Sequence, residues 1–225
     1  MEKGLQHPYP GIWQDGVCSY GGNQGWAGDR NLRRCGCGLV AALDLLWYLK
    51  QTRPDWPTLP QGRIPEEETT RVEYEAMLTG LQESYLPLVP PFGMSGLVLA
   101  LGMNRCFRNY GIPLKARWGC SGKKLPLRLD EMLQKDLPVI LAVGPNFPFL
   151  WRKNRVTLYR RDGSDNWVAA AMIKAHFVTV TGREGDWVYL ASWGRNYRFS
   201  FQEYTRYIRR HSSYLVSNLL YLQEK

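Results

Sequence analysis

The sequence predicts a single domain of the α+β class, with a mainly helical part over about 1–135 and a mainly antiparallel sheet over about 136–225. In the first part, apolar residues recur at helical spacing, and the segment 38–50 is apolar on every side. From residue 156 onward, short apolar segments alternate with turn sequences such as RDGSD and GREGD, which is typical of antiparallel strands. The 225 residues, 44% of them apolar, suffice to bury a sizeable core.

The individual elements follow from local patterns and from the residues that interrupt them. Residues 1–36 have no regular period, but Trp13, Tyr20 and Trp26 favour burial, so we expect an ordered loop. Four prolines between positions 54 and 65 predict a surface excursion over 51–66. The remaining elements are expected as helices at 38–50, 67–83, 95–110, 125–135 and 200–210, and as strands at 138–143, 156–160, 167–172, 176–182, 187–192 and 213–222.

The net charge of +9 bears on possible partners. A basic protein can bind nucleic acid, anionic lipid or acidic peptides. Here the basic residues are scattered in short groups such as 152–155, 160–161 and 206–210, without a long tract. We therefore interpret the charge as solvated surface, and rank binding to an anionic polymer as the last of three functional hypotheses.

The cysteines and the N-terminal segment indicate the cellular compartment. Five cysteines cannot all pair, which argues against an extracellular disulfide framework. With Met1 taken as the natural start, MEKGLQHPYPGIW lacks the apolar segment of a signal peptide. The longest apolar run, 39–49, contains Asp44 and is too short to span a bilayer. We expect a cytoplasmic protein without membrane association.

Two residues suggest nucleophilic catalysis. Cys37 begins the apolar helix, where the positive end of the helix dipole favours the thiolate form that attacks carbonyls. His176, 139 residues later at the head of an apolar strand, can serve as its general base. The free backbone amide of Cys37 can supply half of an oxyanion hole. Asp44, the charged residue inside this helix, is expected to reach solvent or a backbone partner rather than to act in catalysis.

No cofactor or metal is expected. The chain contains no phosphate-binding glycine loop, Walker sequence or dinucleotide fingerprint. Cys35 and Cys37 are separated more tightly than the cysteines of a zinc knuckle, and the spacing to Cys106 and Cys120 matches no common zinc pattern.

Three segments together resemble the papain-like cysteine peptidases, especially the bacterial bacteriocin-leader-peptidase-like branch. CGLVAALDLLWYL resembles the nucleophile helix, AHFVTVTG the histidine strand, and VYLASWGRNYRF the Asn-Ser-Trp-Gly segment with its following strand. The likeness covers roughly 24–50 and 174–204, in the family's order. It implies a papain-like fold with a cleft between a helical lobe and a sheet lobe, and a peptide or protein as substrate.

The resemblance also assigns roles to residues. Cys37 is favoured over Cys35 as the nucleophile, because the family's Gly and Ala spacing continues from it and the dipole effect fades within about one turn. Ala191 occupies the position of the family's asparagine, which orients the histidine. Ser192 is the substitute we favour, with Asp186 or a backbone carbonyl as alternatives.

The oxyanion hole and the wall of the cleft complete the expected site. The family places a glutamine shortly before the cysteine; Asn31 has the usual spacing, whereas Gln24 has the right amide and lies between glycines. We lean to Gln24. Trp193 is expected to form the wall against which His176 packs.

The resemblance therefore implies a cysteine peptidase or amidohydrolase that works through a thioester. An amine in place of water as acceptor makes the same machinery an acyltransferase or transglutaminase. Ala191 favours a second hypothesis, a catalytically inactive peptide-binding module on the same fold.

Overall fold

The computed structural model describes residues 3–56 and 69–225 and has the expected α+β class. Its α-helices are α1 (Arg30–Cys35), α2 (Cys37–Thr52), α3 (Arg71–Ser84), α4 (Gly96–Asn109), α5 (Leu125–Gln134) and α6 (Phe201–His211). Its strands are β1 (Lys3–Gly4), β2 (Ile12–Gln14), β3 (Val17–Cys18), β4 (Thr69–Thr70), β5 (Leu114–Trp118), β6 (Val139–Val143), β7 (Val156–Arg161), β8 (Trp167–Ile173), β9 (His176–Glu184), β10 (Trp187–Ser192), β11 (Arg195–Ser200) and β12 (Leu219–Glu224).

Most of the strands form one antiparallel sheet in the order β5-β12-β6-β9-β10-β11-β7-β8, and β1 pairs with β9. The strand that begins with His176 therefore lies in the interior of the sheet, between β6 and β10. A second, small sheet joins β3, β2 and β4. Five of the helices precede most of the sheet in the chain, as the sequence predicts, although β5 lies among them.

Helix α2 forms the centre of the core. All its residues from Gly38 to Leu49 are buried, including Asp44, and the helix packs against β9, β6, α3 and α4. The apolar character on every side is thus explained by neighbours on every side. Because α2 packs across β9, the first residue of the helix lies beside the first residues of that strand.

The N-terminal region departs from the expected loop. It contains short strands, a 3-10 turn over Gln24–Trp26 and helix α1. The side chain of Asp29 accepts a hydrogen bond from the amide of Leu32 at 2.7 Å and begins α1. A six-residue helix is too short to show a period in the sequence, which is why the pattern missed it. Trp26 packs against the main core, as expected.

Other boundaries differ by a few residues. Helix α3 begins at Arg71, because Thr70 and Glu73 form a capping box. Helix α2 continues to Thr52, two residues into the surface excursion predicted over 51–66. Residues 57–66 of that excursion lie outside the described residues. The closing strand starts at Leu219. Just before it, the buried Asn218 side chain donates to the carbonyl of Tyr214, and the buried Ser217 hydroxyl accepts from the amide of Gly144. Among residues 3–56 and 69–225, no helix has the length and apolar character needed to cross a bilayer.

Candidate active site

Cys37 and His176 line the same small cavity. Cys37 is the first residue of α2 and His176 the first of β9, and the backbone amide of Phe177 donates a hydrogen bond to the Cys37 sulfur at 3.5 Å. His176 is 8% exposed, whereas Cys37 is only partly buried. The two positions predicted to meet across the fold therefore line one cavity.

Cys35 lies in a different environment. It is buried, and its thiol donates to the backbone carbonyl of Asn31 within α1 at 3.0 Å. It does not line the cavity that contains His176. This placement favours Cys37 as the nucleophile. Cys106 is fully buried in the core, and Cys18 and Cys120 are exposed.

Ser192 is the hydrogen-bond partner of the histidine. Its hydroxyl lies 2.8 Å from Nε2 of His176. Strand register explains why Ser192 rather than Ala191 takes this role: Ala191 pairs with Thr179, so the next position faces the same side of the sheet as Val178 and His176. When Nε2–H donates to Ser192, Nδ1 is the ring nitrogen that remains to accept a proton.

Asp186 does not contribute to the site. It lies in the turn before β10, where it accepts hydrogen bonds from the Ser200 hydroxyl and the Gln202 amide and thereby fixes the start of α6. The alternative in which Asp186 orients His176 is therefore wrong, because β10 separates it from Ser192 by the length of a six-residue strand.

The two oxyanion candidates are placed differently. Gln24 lines the cavity with Cys37, and its side-chain amide donates to the carbonyl of Arg33 at 2.9 Å. A side-chain amide has two N–H groups, so one remains for a substrate oxygen. Asn31 is exposed on α1 and does not line the cavity.

Burial governs the protonation of the pair. It raises the pKa of the Cys37 thiol, against a smaller opposite effect of the amides of Phe177, Gly38 and Cys37 itself. It lowers the pKa of His176 to about 4. The free protein at neutral pH therefore has a neutral thiol beside a neutral imidazole. The start of a helix favours the thiolate, but the desolvation of the Cys37 sulfur outweighs that effect here.

Asp44 is a buried anchor that the sequence pattern did not identify. It is 3% exposed and lines the inner end of the same cavity. Its carboxyl accepts from the amide of Gly22 at 3.0 and 3.1 Å, from the Tyr74 hydroxyl at 2.8 Å and from the Tyr9 hydroxyl at 3.1 Å. Burial raises its pKa to about 6 although these donors oppose the change. The expected backbone partner is present, but the side chain does not reach solvent.

The glycine segment held by Asp44 also holds the turn after Ser192. Gly194 donates its amide to the carbonyl of Gly22 at 2.9 Å, and its carbonyl accepts from the amide of Tyr20 at 2.9 Å. We call residues 20–22 the glycine strap. It connects helix α2, through Asp44, to the turn that contains Trp193.

The cavity itself is small, about 10 Å³, which is room for about one water molecule. A molecule larger than water is therefore not enclosed in it. Within the described ranges, no group of three or more His, Cys, Asp or Glu side chains is placed to bind a metal ion.

The chain was compared with protein-family models, with curated proteins and with solved structures, and none of them matches it. The site geometry is therefore the basis for any functional conclusion.

Proposed function

We propose that the protein is a thiol hydrolase of papain-like architecture that cleaves a peptide or amide bond. The observation that carries the proposal is the arrangement of Cys37, His176 and Ser192: a thiol at the start of α2, a buried imidazole on the same cavity, and a hydroxyl 2.8 Å from the ring nitrogen. This is the order of nucleophile, base and orienting group that acyl transfer needs.

The reaction follows from this arrangement. The Cys37 sulfur attacks the carbonyl carbon while its proton passes to Nδ1 of His176, so no thiolate needs to exist beforehand. The amide of Cys37 and the free N–H of Gln24 stabilise the oxyanion of the tetrahedral intermediate. The carbon–nitrogen bond then breaks, and His176 returns the proton to the leaving amine. Water attacks the resulting thioester, His176 again accepting a proton, and the carboxylic acid leaves as the thiol is restored.

A direct test is the capture of an acyl-enzyme. The protein is prepared with Cys18→Ser and Cys120→Ser, because these two exposed thiols would otherwise react. It is treated with p-nitrophenyl acetate at pH 7 and examined by peptide mass spectrometry. We expect acetylation at Cys37 and a burst of p-nitrophenol, both reduced at least tenfold by His176→Ala in a protein that remains folded. Equal acetylation with and without His176 would contradict the proposal.

The acceptor distinguishes hydrolase from acyltransferase. If glycine methyl ester added to the acetylated protein forms the N-acetyl product in preference to acetate, the enzyme is an acyltransferase. If acetate remains the main product, it is a hydrolase.

The second candidate, a peptide-binding module without catalysis, is favoured by the neutral state of the pair and by Ala191. Its signature is binding of peptides at the cleft, unchanged by Cys37→Ala, in a protein that forms no acyl-enzyme.

A further inference from the structure

The segment 146–154, which we call the aromatic loop, is closed at its base. The Asn146 side chain donates to the carbonyl of Asn154, and the Asn154 side chain donates to the Asn146 side-chain oxygen, both at 3.0 Å. The loop follows β6, whose last residue, Val143, pairs with His176. The loop is thus a defined projection at the histidine side of the cleft.

The tip of this loop presents large apolar side chains to solvent. Their exposed fractions are 48% for Phe147, 42% for Phe149, 57% for Leu150 and 75% for Trp151. The rings of Phe149 and Trp151 lie 5.3 Å apart, so they form one surface. Four such residues in a five-residue segment are a typical sign of an interaction site, because an apolar surface of this kind gains free energy when it leaves water.

Basic side chains surround the tip. Lys174 donates to the carbonyl of Arg152, and the amide of Phe147 donates to the carbonyl of His211 at the end of α6. These contacts bring two basic stretches to the loop, which are distant in the sequence. The exposed members of this basic rim are Arg152, Lys153, Arg155, Arg206, Arg209 and Arg210.

Acidic residues are missing from the stretches that build this surface. The sequence contains no Asp or Glu between Asp136 and Asp162, or between Glu203 and Glu224. In the part of the chain that the structure describes, none of the six basic side chains of the rim forms an ion pair with a carboxylate.

We propose that the aromatic loop and its basic rim dock the protein onto an anionic lipid bilayer. Phe147, Leu150 and Trp151 enter the boundary between headgroups and acyl chains, and the arginines of α6 contact the lipid phosphates. Charge complementarity selects this partner, since a second copy of a chain with a net charge of +9 would repel the rim.

Single-stranded nucleic acid fits this surface less well. Base stacking needs free ring faces, but the Arg152 guanidinium lies 4.6 Å from the Phe149 ring centroid and covers that ring. Leu150 offers no stacking surface. The sequence alone indicated no membrane contact, because the loop and the basic end of α6 are more than 50 residues apart.

Co-sedimentation with vesicles tests the proposal. We expect binding to phosphatidylcholine vesicles containing about 30% phosphatidylserine, and at least tenfold weaker binding to pure phosphatidylcholine. The double variant Leu150→Ser, Trp151→Ser is expected to bind the anionic vesicles at least tenfold more weakly. Arg209→Gln with Arg210→Gln is expected to lose about fivefold for each arginine.

The matched controls make the same kinds of substitution, apolar to serine and basic to glutamine, at positions away from the aromatic loop and α6. Val72→Ser with Leu127→Ser removes two apolar side chains that are 77% and 69% exposed, and Lys115→Gln with Arg117→Gln removes two charges from β5, at the other edge of the sheet. Both controls should bind like the unchanged protein, and so should Cys37→Ala, whether or not the protein is an enzyme.

Two results would overturn the proposal. One is sedimentation that the loop and α6 variants leave unchanged. The other is the absence of vesicle binding together with affinity for a single-stranded DNA 20-mer that the Leu150, Trp151 variant loses, which would assign the surface to nucleic acid.

Discussion

The indole of Trp193 lies nearly parallel to the imidazole of His176, with 4.6 Å between ring centroids and 20° between the ring planes. Trp193 and Gly194 form the two-residue turn between β10 and β11, and both have positive φ, +49° and +72°. Such turns favour Asn-Gly, because a large side chain at positive φ is strained. The stacking and the glycine strap hold this strained turn in place and leave the histidine one fixed orientation.

Two variants of Trp193 distinguish the effect of losing the indole from the effect of backbone strain at positive φ. Both Trp193→Gly and Trp193→Ala remove the indole, but only alanine keeps a Cβ at positive φ. We expect Trp193→Ala to be about 1 kcal/mol less stable than Trp193→Gly in urea unfolding, and both to lose acyl-enzyme formation. An alanine variant at least as stable as the glycine variant would contradict the inference that a side chain at position 193 strains the backbone.

Ser192→Ala removes the hydroxyl partner of His176 and leaves Nε2 buried without a hydrogen bond. The ring is then free to adopt the other tautomer or to rotate, so we expect the acetylation rate of Cys37 to fall about 10- to 100-fold. Ser192→Thr, which keeps a hydroxyl, should retain more of the rate. The exposed Ser84→Ala is the control and should not change it. A full rate in Ser192→Ala would show that the hydroxyl does not orient the base.

Asp44 and His176 should have opposite effects on stability as pH changes. The pKa of His176 is about 4 in the folded protein and near 6.5 when unfolded, so the unfolded chain binds more protons and stability rises with pH in this window. The pKa of Asp44 is raised from 3.8 to about 6, so the folded protein binds more protons and stability falls as pH rises from 3.8 to 6. Each effect amounts to about 3 kcal/mol, and the two nearly cancel.

Removing either group should reveal the pH dependence of stability that the other group produces. Relative to the unchanged protein, Asp44→Asn should gain stability by about 2 kcal/mol as pH increases from 4 to 6, and His176→Asn should lose a similar amount. Urea unfolding at pH 4, 5 and 6 measures both slopes. Parallel curves for all three proteins would mean that neither group has the pKa described here.

The glycine strap should not tolerate a side chain. A Cβ at Gly22 would lie 1.9 Å from the Tyr74 hydroxyl, which is itself held by Asp44. We expect Gly22→Ala to reduce stability by at least about 3 kcal/mol and to lower Cys37 acetylation, since the strap also supports the Gly194 turn. Gly28→Ala, whose Cβ would meet nothing within 4 Å, is the matched control. Equal stability of the two variants would show that the glycine strap accommodates an added methyl group without loss of stability.

The core elements were predictable because their patterns are long. Helix α2 begins at Cys37, the residue predicted to open it, and ends two residues after the predicted end at 50, since complete burial leaves a long apolar run. Strand β5 was missed although Leu114, Ala116 and Trp118 alternate with exposed residues in the expected way. Strand β6 has the same length but was predicted, because all five of its residues are apolar, whereas β5 contains Lys115 and Arg117.

The site was predictable in part for a similar reason. Cys37 and His176 stand at the starts of a helix and a strand, and the apolar run that follows each of them is visible in the sequence. Whether residue 191 or 192 faces the histidine depends on the register between β9 and β10, which requires the paired strand. The roles of Gly22 and Asp44 depend on contacts between segments that local patterns do not connect.

The place of β12 in the sheet has a consequence for biosynthesis. Residues 219–224 lie between β5 and β6, so these two earlier strands have no common neighbour until that segment has left the ribosome. Both neighbours of β9 in the sheet, β6 and β10, are synthesised before β12, so the strand that begins with His176 can pair without it. What waits for the last strand is β5, the edge of the sheet, which joins the other strands through β12.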